Sequence, residues 1–226
     1  MALSRRSFLQ TLGLTVVSLG AIDSVSQASV RQVIQALTQF QGRKFALLIG
    51  IDHYPNVISL TGCGQDLKIQ RNLLIHRFGF APADIFTLQD QQANRENIFT
   101  AFQKQLKDLL QPEDLLFVHF SGYGARVPAG ETTITAIIPV DGGITNQKLS
   151  VNQAIAVETI EGFMRSLNPA QAVLVLDTSF DPVATTAHHY WRSRTYPKPI
   201  TVGLNPSEVA TEEQLQRNLL QRGLGR

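Results

Sequence analysis

Hydrophobic positions fall into two alternating patterns from residue 44 onward. Continuous apolar runs of strand length recur at "FALLIGI" (45–51), "DIFTLQD" (84–90), "DLLFVHFSG" (114–122) and "AVLVLDT" (172–178). Runs this short that stay apolar on both alternating sets of positions predict strands buried on both faces. Between them the spacing becomes helical. Residues 63–79 place Leu67, Leu74 and Phe78 on one face, with Gly79 as a C-terminal stop. Asn94 stands where it would cap a helix whose buried stripe is Ile98, Phe102, Leu106 and Leu110. Val157, Ile160, Met164 and Leu167 predict a third helix ended by Asn168–Pro169. Strands alternating with helices predict an α/β fold: a mostly parallel sheet with helices on both faces.

Two segments break the alternation. "ETTITAIIPVDGG" (131–143), with Ile134, Ala136 and Ile138 on one side and Asp141–Gly142 at its end, predicts a small antiparallel hairpin. After residue 180 the pattern fades. "RSRTYPKPITVGLNP" predicts a loop or edge segment in which only "PITVGL" (199–204) resembles a strand. Ser207–Leu220 predicts a final helix, with Thr211 and Gln214 at capping-box spacing. The C-terminal part, 182–226, is thus an extension of loop and helix.

Composition narrows the function classes. The chain has 226 residues, 43% hydrophobic and 17% charged, as expected of a globular protein with one sizeable core. A formal charge of +2 without a basic run gives no argument for nucleic acid. The single cysteine, Cys63, excludes an intramolecular disulfide, and no Cys/His spacing suggests a metal. Near the N-terminus, "SRRSFLQTLGLTVVSLGAI" (4–22) joins paired arginines to an apolar stretch too short for an ordinary membrane span. With "SQA" (26–28) behind it, the segment resembles a twin-arginine export signal. That resemblance implies a leader over 1–28 lying outside the fold, and export to a periplasm or thylakoid lumen. An uncleaved leader would instead tether the chain to a membrane.

Ligands of open parallel sheets bind beyond the carboxyl ends of the strands. The residues leaving those ends are Asp52–Tyr54, Ser121–Gly124 and Asp177–Asp181, joined by Thr61–Asp66 at the start of the first helix. Gly122 and Gly124 flank Tyr123 and suggest a close backbone approach. Over residues 43–181 these stretches resemble the caspase-like domain of metacaspases and orthocaspases, the C14-type peptidases. "LLFVHFSGYG" is similar to that family's S-G-H-G strand and "LVLDTSF" to its D-x-C strand. "KFALLIGIDHYPNVISLTGCGQD" is similar to its opening, and "ETTITAIIPVDG" to its E-x-hydrophobic-x-P-x-D segment.

The resemblance implies a three-layer caspase-like sandwich and a cysteine-type endopeptidase cutting after Arg or Lys. It places the histidine base on Tyr123 and the cysteine nucleophile on Ser179, and it assigns the substrate pocket to Cys63, Asp66 and Asp177. Calcium enters by family resemblance alone. Here chemistry and resemblance part. A phenol of pKa ~10 is almost wholly protonated at neutral pH, and burial or nearby carboxylates raise it further. A serine hydroxyl needs a positioned base. The expectation is a degenerate peptidase that binds basic peptide segments or a protein partner, an active relative among them, through an acidic pocket. The alternative is an active endopeptidase using Ser179 or Cys63, with His53 or His119 as a substitute base. Because few residues follow Ser179, the sheet is expected to end in an exposed edge or to be completed by a partner.

Overall fold

The computed structural model describes residues 14–18, 27–142, 154–180, 194–197 and 204–224. Five strands form a wholly parallel sheet in the order β1-β8-β4-β2-β3, comprising β1 (Leu14–Ser18), β2 (Lys44–Gly50), β3 (Ile85–Gln89), β4 (Leu115–Ser121) and β8 (Gln171–Asp177). The four apolar runs are its central and edge strands. All seven residues of β4 are buried, which is why that stretch reads as apolar on both faces.

One face of the sheet, with Ala46, Leu48, Leu115, Phe117, Val173 and Val175, packs against helices α1 (Gln27–Gln39) and α2 (Cys63–Phe78). The other face, with Phe45, Leu47, Ile49, Leu116, Val118, Phe120, Leu174 and Leu176, packs under three further helical elements. These are α3 (Arg95–Thr100, continued through Ala101–Leu106 and Lys107–Leu109), α4 (Val157–Ser166) and α5 (Pro206–Leu224). Helices thus cover both faces as predicted.

Local signals explain the helix limits. Gly79 ends α2 in the left-handed region at φ 72°, and the Asn94 side chain accepts from the Asn97 amide at 2.8 Å at the start of α3. The stripe Ile98, Phe102, Leu106 and Leu110 repeats every four residues, which drifts about 40° per step around an ideal α-helix. Ala101–Leu106 is π-helical, and its wider turn takes up that drift, so all four side chains stay buried.

Three expectations need correction. The antiparallel element is larger than the 131–143 hairpin: β6 (Thr132–Ile137) pairs with β5 (Gly124–Ala129) on one side and β7 (Ile155–Ala156) on the other. Strand β5 was hidden by Gly124 and by Pro128, residues that sequence patterning assigns to loops. The capping box of α5 is Asn205–Glu208, not Thr211–Gln214. The Asn205 side chain accepts from the Glu208 amide at 3.0 Å, and Glu208 accepts from the Asn205 amide at 2.9 Å. Thr211 instead donates to the Ser207 carbonyl. Of "PITVGL", Leu204 bridges to Ala129 in parallel, and the rest lies outside the described residues.

Finally, Leu14–Ser18, set aside with the export signal, lies in the sheet. It pairs in parallel with Ala172–Leu176 and covers the side of β8 expected to be open or partner-bound. Its β-branched "TVV" suits a strand. Removing residues 1–28 would leave β8 as an edge.

The loop after β2 carries the device that sets the cleft. The Asp52 carboxylate accepts from the Cys63 and Gly64 amides, at 2.9 and 3.0 Å, where α2 begins. Gly62, just before, is at φ 108° and contributes no side-chain cap. Asp52 therefore stands in for the missing N-cap and adds a negative charge at the positive end of the helix. Asp52→Ala is expected to lower stability by about 1–2 kcal/mol in urea titration, with Asp52→Asn retaining part of it.

Candidate functional site

The cleft lies at the carboxyl ends of β2, β4 and β8, where the topology predicted it. The loop after β2 is pinned from beneath. Asp90, at the end of β3, accepts from the Asp52 and His53 amides at 2.8 and 2.9 Å, and its other oxygen lies 3.3 Å from the His53 ring. The hydrogen bonds from His53 and Asp52 outweigh burial and keep Asp90 below the usual carboxylate range. His53 is therefore an exposed partner of Asp90 and a poor candidate for a base turned toward Ser179.

Tyr123 is packed into the floor of the cleft. It is 3% exposed, its ring lies 5.0 Å from that of Tyr54, and Tyr196 meets it edge-on at 5.9 Å. The Tyr123 hydroxyl donates to the Ile58 carbonyl at 2.8 Å. Tyr54 is a junction that sequence reading did not single out: its hydroxyl donates to the Ile138 carbonyl at 3.0 Å and accepts from the Tyr123 amide at 3.0 Å. The glycines around Tyr123 serve close approach, not unusual dihedrals. A Cβ on Gly122 would meet the Tyr54 hydroxyl at 2.7 Å, and one on Gly124 would meet the Thr178 hydroxyl at 2.6 Å and the Ser179 carbonyl at 2.9 Å. Gly124 thus lets the segment after β8, with Ser179, come down beside Tyr123.

The predicted acidic pair does converge, around a cation that no local pattern marks. Arg194 Nη2 lies 2.7 Å from Asp66 Oδ2, and Arg194 Nη1 pairs with Asp177 Oδ2. Nη1 also donates to the Ser121 hydroxyl at 2.8 Å and to the Asp177 carbonyl at 3.0 Å, while Ser121 donates to Asp66 at 3.1 Å. Burial opposes the charge on Arg194, but Cys63, Asp66 and Asp177 outweigh it and hold its pKa above the usual arginine value. Burial pushes Asp177 upward, and the Arg194 charge offsets this only in part.

The backbone of the same residue is held too. The Gly124 amide donates to the Arg194 carbonyl at 2.9 Å, and the Tyr196 amide donates to the Gly124 carbonyl at 2.7 Å, giving a parallel bridge between Gly124 and Thr195. No periodicity marks Arg194. The only signal available was charge complementarity between a downstream arginine and two predicted pocket carboxylates.

The remaining candidates are not activated. Cys63 is fully buried, and burial pushes its thiol up to about 11, against the Ser121 hydrogen bond and the Arg194 charge. It packs as a small core residue at the start of α2. His119, 1% exposed in β4, leaves both ring nitrogens without a hydrogen-bond partner, and burial lowers its pKa to about 4. His76 lies in the last turn of α2, at the far end from the cleft. His188, His189 and Asp181 lie outside the described residues. Among the described residues, no group of three or more His, Cys, Asp or Glu side chains is arranged to hold a metal, calcium included.

Sheet, helices and cleft together define a caspase-like α/β domain. The family model of the metacaspase peptidase C14 domain matches residues 44–182, and the chain belongs to that family. It is 38% identical over 115 residues to Metacaspase-1 of Meyerozyma guilliermondii, covering 46% of this chain and 28% of that protein. To Metacaspase-1B of Aspergillus clavatus it is 42% identical over 93 residues, covering 38% of this chain and 22% of that protein. The match therefore spans well under half the length of these relatives. Among solved structures, protein GSU0716 from Geobacter sulfurreducens shares the fold, with a TM-score of 0.52 and 18% identity over 80% of this chain and 66% of that one.

His119 gives the site a pH signature. The unfolded chain takes up a proton at this histidine near the ordinary pKa of 6.5, whereas the folded chain resists until about 4. Stability contributed by the neutral ring is complete above about pH 6.5 and is lost as pH falls toward 4. The loss from this residue is expected to reach about 3 kcal/mol, and His119→Phe should remove it, flattening the acid limb of the stability profile measured by denaturant titration.

Proposed function

We propose that this domain is a catalytically degenerate member of the peptidase C14 family that holds arginine-bearing peptide segments in its acidic cleft without cutting them. The observation that carries the reading is the state of Tyr123. The residue at the family's base position spends its hydroxyl on the Ile58 carbonyl and its ring on Tyr54 and Tyr196, so it has become packing. A phenol, with an ordinary pKa of ~10, is a weak proton acceptor for Ser179 at neutral pH, and general-base assistance of this kind is typically worth ~10²–10⁴-fold. Neither His53, turned to Asp90, nor His119, buried without a hydrogen bond, supplies a replacement. Cys63, with its thiol pushed to about 11, does not present a thiolate at neutral pH.

What supports recognition is the pocket itself. Asp66 and Asp177 converge on one guanidinium with Ser121 between them, which is the planar, multiply hydrogen-bonded recognition that arginine makes and lysine does not. The proposal extends to location: the Ser4–Leu9 pattern would direct export, where the domain would meet a peptide or protein partner, an active relative among the candidates.

The purified chain is expected to release no product from Arg- or Lys-ended fluorogenic peptides between pH 6 and 9, with or without calcium. Turnover that disappears in Ser179→Ala or Cys63→Ala would refute the degenerate reading. Tyr123→Phe, which strips the hydroxyl from the Ile58 carbonyl, should leave that activity at zero and cost about 1 kcal/mol in thermal or urea unfolding.

A further inference from the structure

Strand β5 has β6 on one side, and its other side is where Gly124 bridges Thr195 and Ala129 bridges Leu204, both in parallel. An extended segment laid along a sheet edge is held by main-chain hydrogen bonds, and alternate side chains enter pockets that read its sequence. Arg194 and Tyr196 are such an alternate pair. Arg194 enters the Asp66–Asp177 pocket, and Tyr196, 5% exposed, stands edge-on against the Tyr123 ring. Thr195 between them is only half-buried, and Pro197 is exposed. The main chain is clamped on both sides of Thr195, between the two, by the Gly124 amide to the Arg194 carbonyl and by the Tyr196 amide to the Gly124 carbonyl.

We infer that the cleft is a recognition site for an extended Arg-x-aromatic peptide running parallel to β5, and that residues 194–196 occupy it as a ligand carried within the chain. This rests on the reading of the cleft as a peptide-holding site and adds its sequence preference, its direction and its regulation. The arginine is read by Asp66, Asp177 and Ser121, and the aromatic two residues later is read by Tyr123. The tyrosine at the base position is then a specificity residue: an imidazole there would present a smaller, more polar face to Tyr196.

Occupation from within also sets affinity. A tethered segment competes at the high effective concentration of an intramolecular ligand, so an outside peptide binds with an affinity reduced by the fraction of time the cleft is closed. A partner must carry the same Arg-x-aromatic chemistry to displace the internal segment.

The test uses the full chain and a labelled peptide with the sequence Ser-Arg-Thr-Tyr-Pro, followed by fluorescence anisotropy. Binding to the Arg194→Ala/Tyr196→Ala chain is expected to be at least about 30-fold tighter than to the unaltered chain. Replacing Tyr by Ala in the peptide should weaken it about 10-fold, replacing Arg should abolish it, and Asp66→Asn/Asp177→Asn in the same background should abolish it too. Equal affinity for both chains, still lost with the aspartates, would overturn this inference and leave the peptide-holding function standing. Binding indifferent to the aspartates, or no binding to the opened chain, would overturn both.

Trypsin provides a second measurement that does not use the Arg194→Ala/Tyr196→Ala chain. In the unaltered chain, scission of the Arg194–Thr195 bond, read by mass spectrometry, should be at least about 10-fold slower than in Asp66→Asn/Asp177→Asn, with cutting after Arg77 as the internal reference. Equal rates would mean that Arg194 does not reside in the pocket, and the inference fails.

Discussion

One guanidinium between two carboxylates joins three parts of the molecule that the chain keeps far apart. Asp66 comes from the first turn of α2, Asp177 from the end of β8, and Arg194 from the segment beyond. Two aspartates brought together at the mouth of a cleft repel one another and lose hydration, so the arrangement needs a cation in it. Supplied from within, that cation pins the C-terminal segment across β5. The segment in turn packs Tyr196 on Tyr123, and Tyr123 hydrogen-bonds the loop that contains Ile58. The floor, the wall and the cover of the cleft therefore depend on one charge cluster. The cluster is part-buried, and its ion pairs hold the segment at the mouth of the cleft.

The replaced residues fit that picture. In an imidazole–thiol pair the base must keep a lone pair pointed at the nucleophile, which leaves the position polar and underpacked. A tyrosine there reverses each property: its hydroxyl is satisfied by a backbone carbonyl and its ring joins an aromatic cluster of Tyr54, Tyr123 and Tyr196. The side chain at the base position is thereby part of the packing of the cleft floor. The acidic pocket tells a different story, because Asp66 and Asp177 remain where a basic side chain can use both.

How much could be read beforehand follows from the range of the interactions involved. The parallel sheet was legible because strands buried on both faces must be apolar throughout, and Leu115–Phe120 can hardly be anything else. The stripe from Ile98 to Leu110 was legible as a helix, though its π-helical turn was not, because a four-residue repeat only hints at it. The convergence of Tyr123, Ser179, Asp66 and Asp177 at one sheet end followed from topology together with the resemblance. Strand β5 was missed because Gly124 and Pro128 obey backbone demands that the local code assigns to loops. Arg194 and the junction role of Tyr54, itself placed at the sheet end, were missed for a deeper reason: each is defined by partners more than fifteen residues away, and such contacts leave no period. The pairing of Leu14–Ser18 with β8 was missed because an apolar stretch behind two arginines has a ready explanation elsewhere.

The cleft's internal cation bears on how the molecule responds to common solutes. Guanidinium chloride supplies the free ion that corresponds to the head of Arg194, so at concentrations well below those that unfold the core it competes for Asp66 and Asp177 by mass action. Urea has no such charge. The two denaturants therefore act on different objects: urea acts on the hydrophobic layers, while guanidinium first loosens the cover of the cleft and only then the layers beneath. Agreement between their transition curves, usual for a small domain, is not to be assumed for this one.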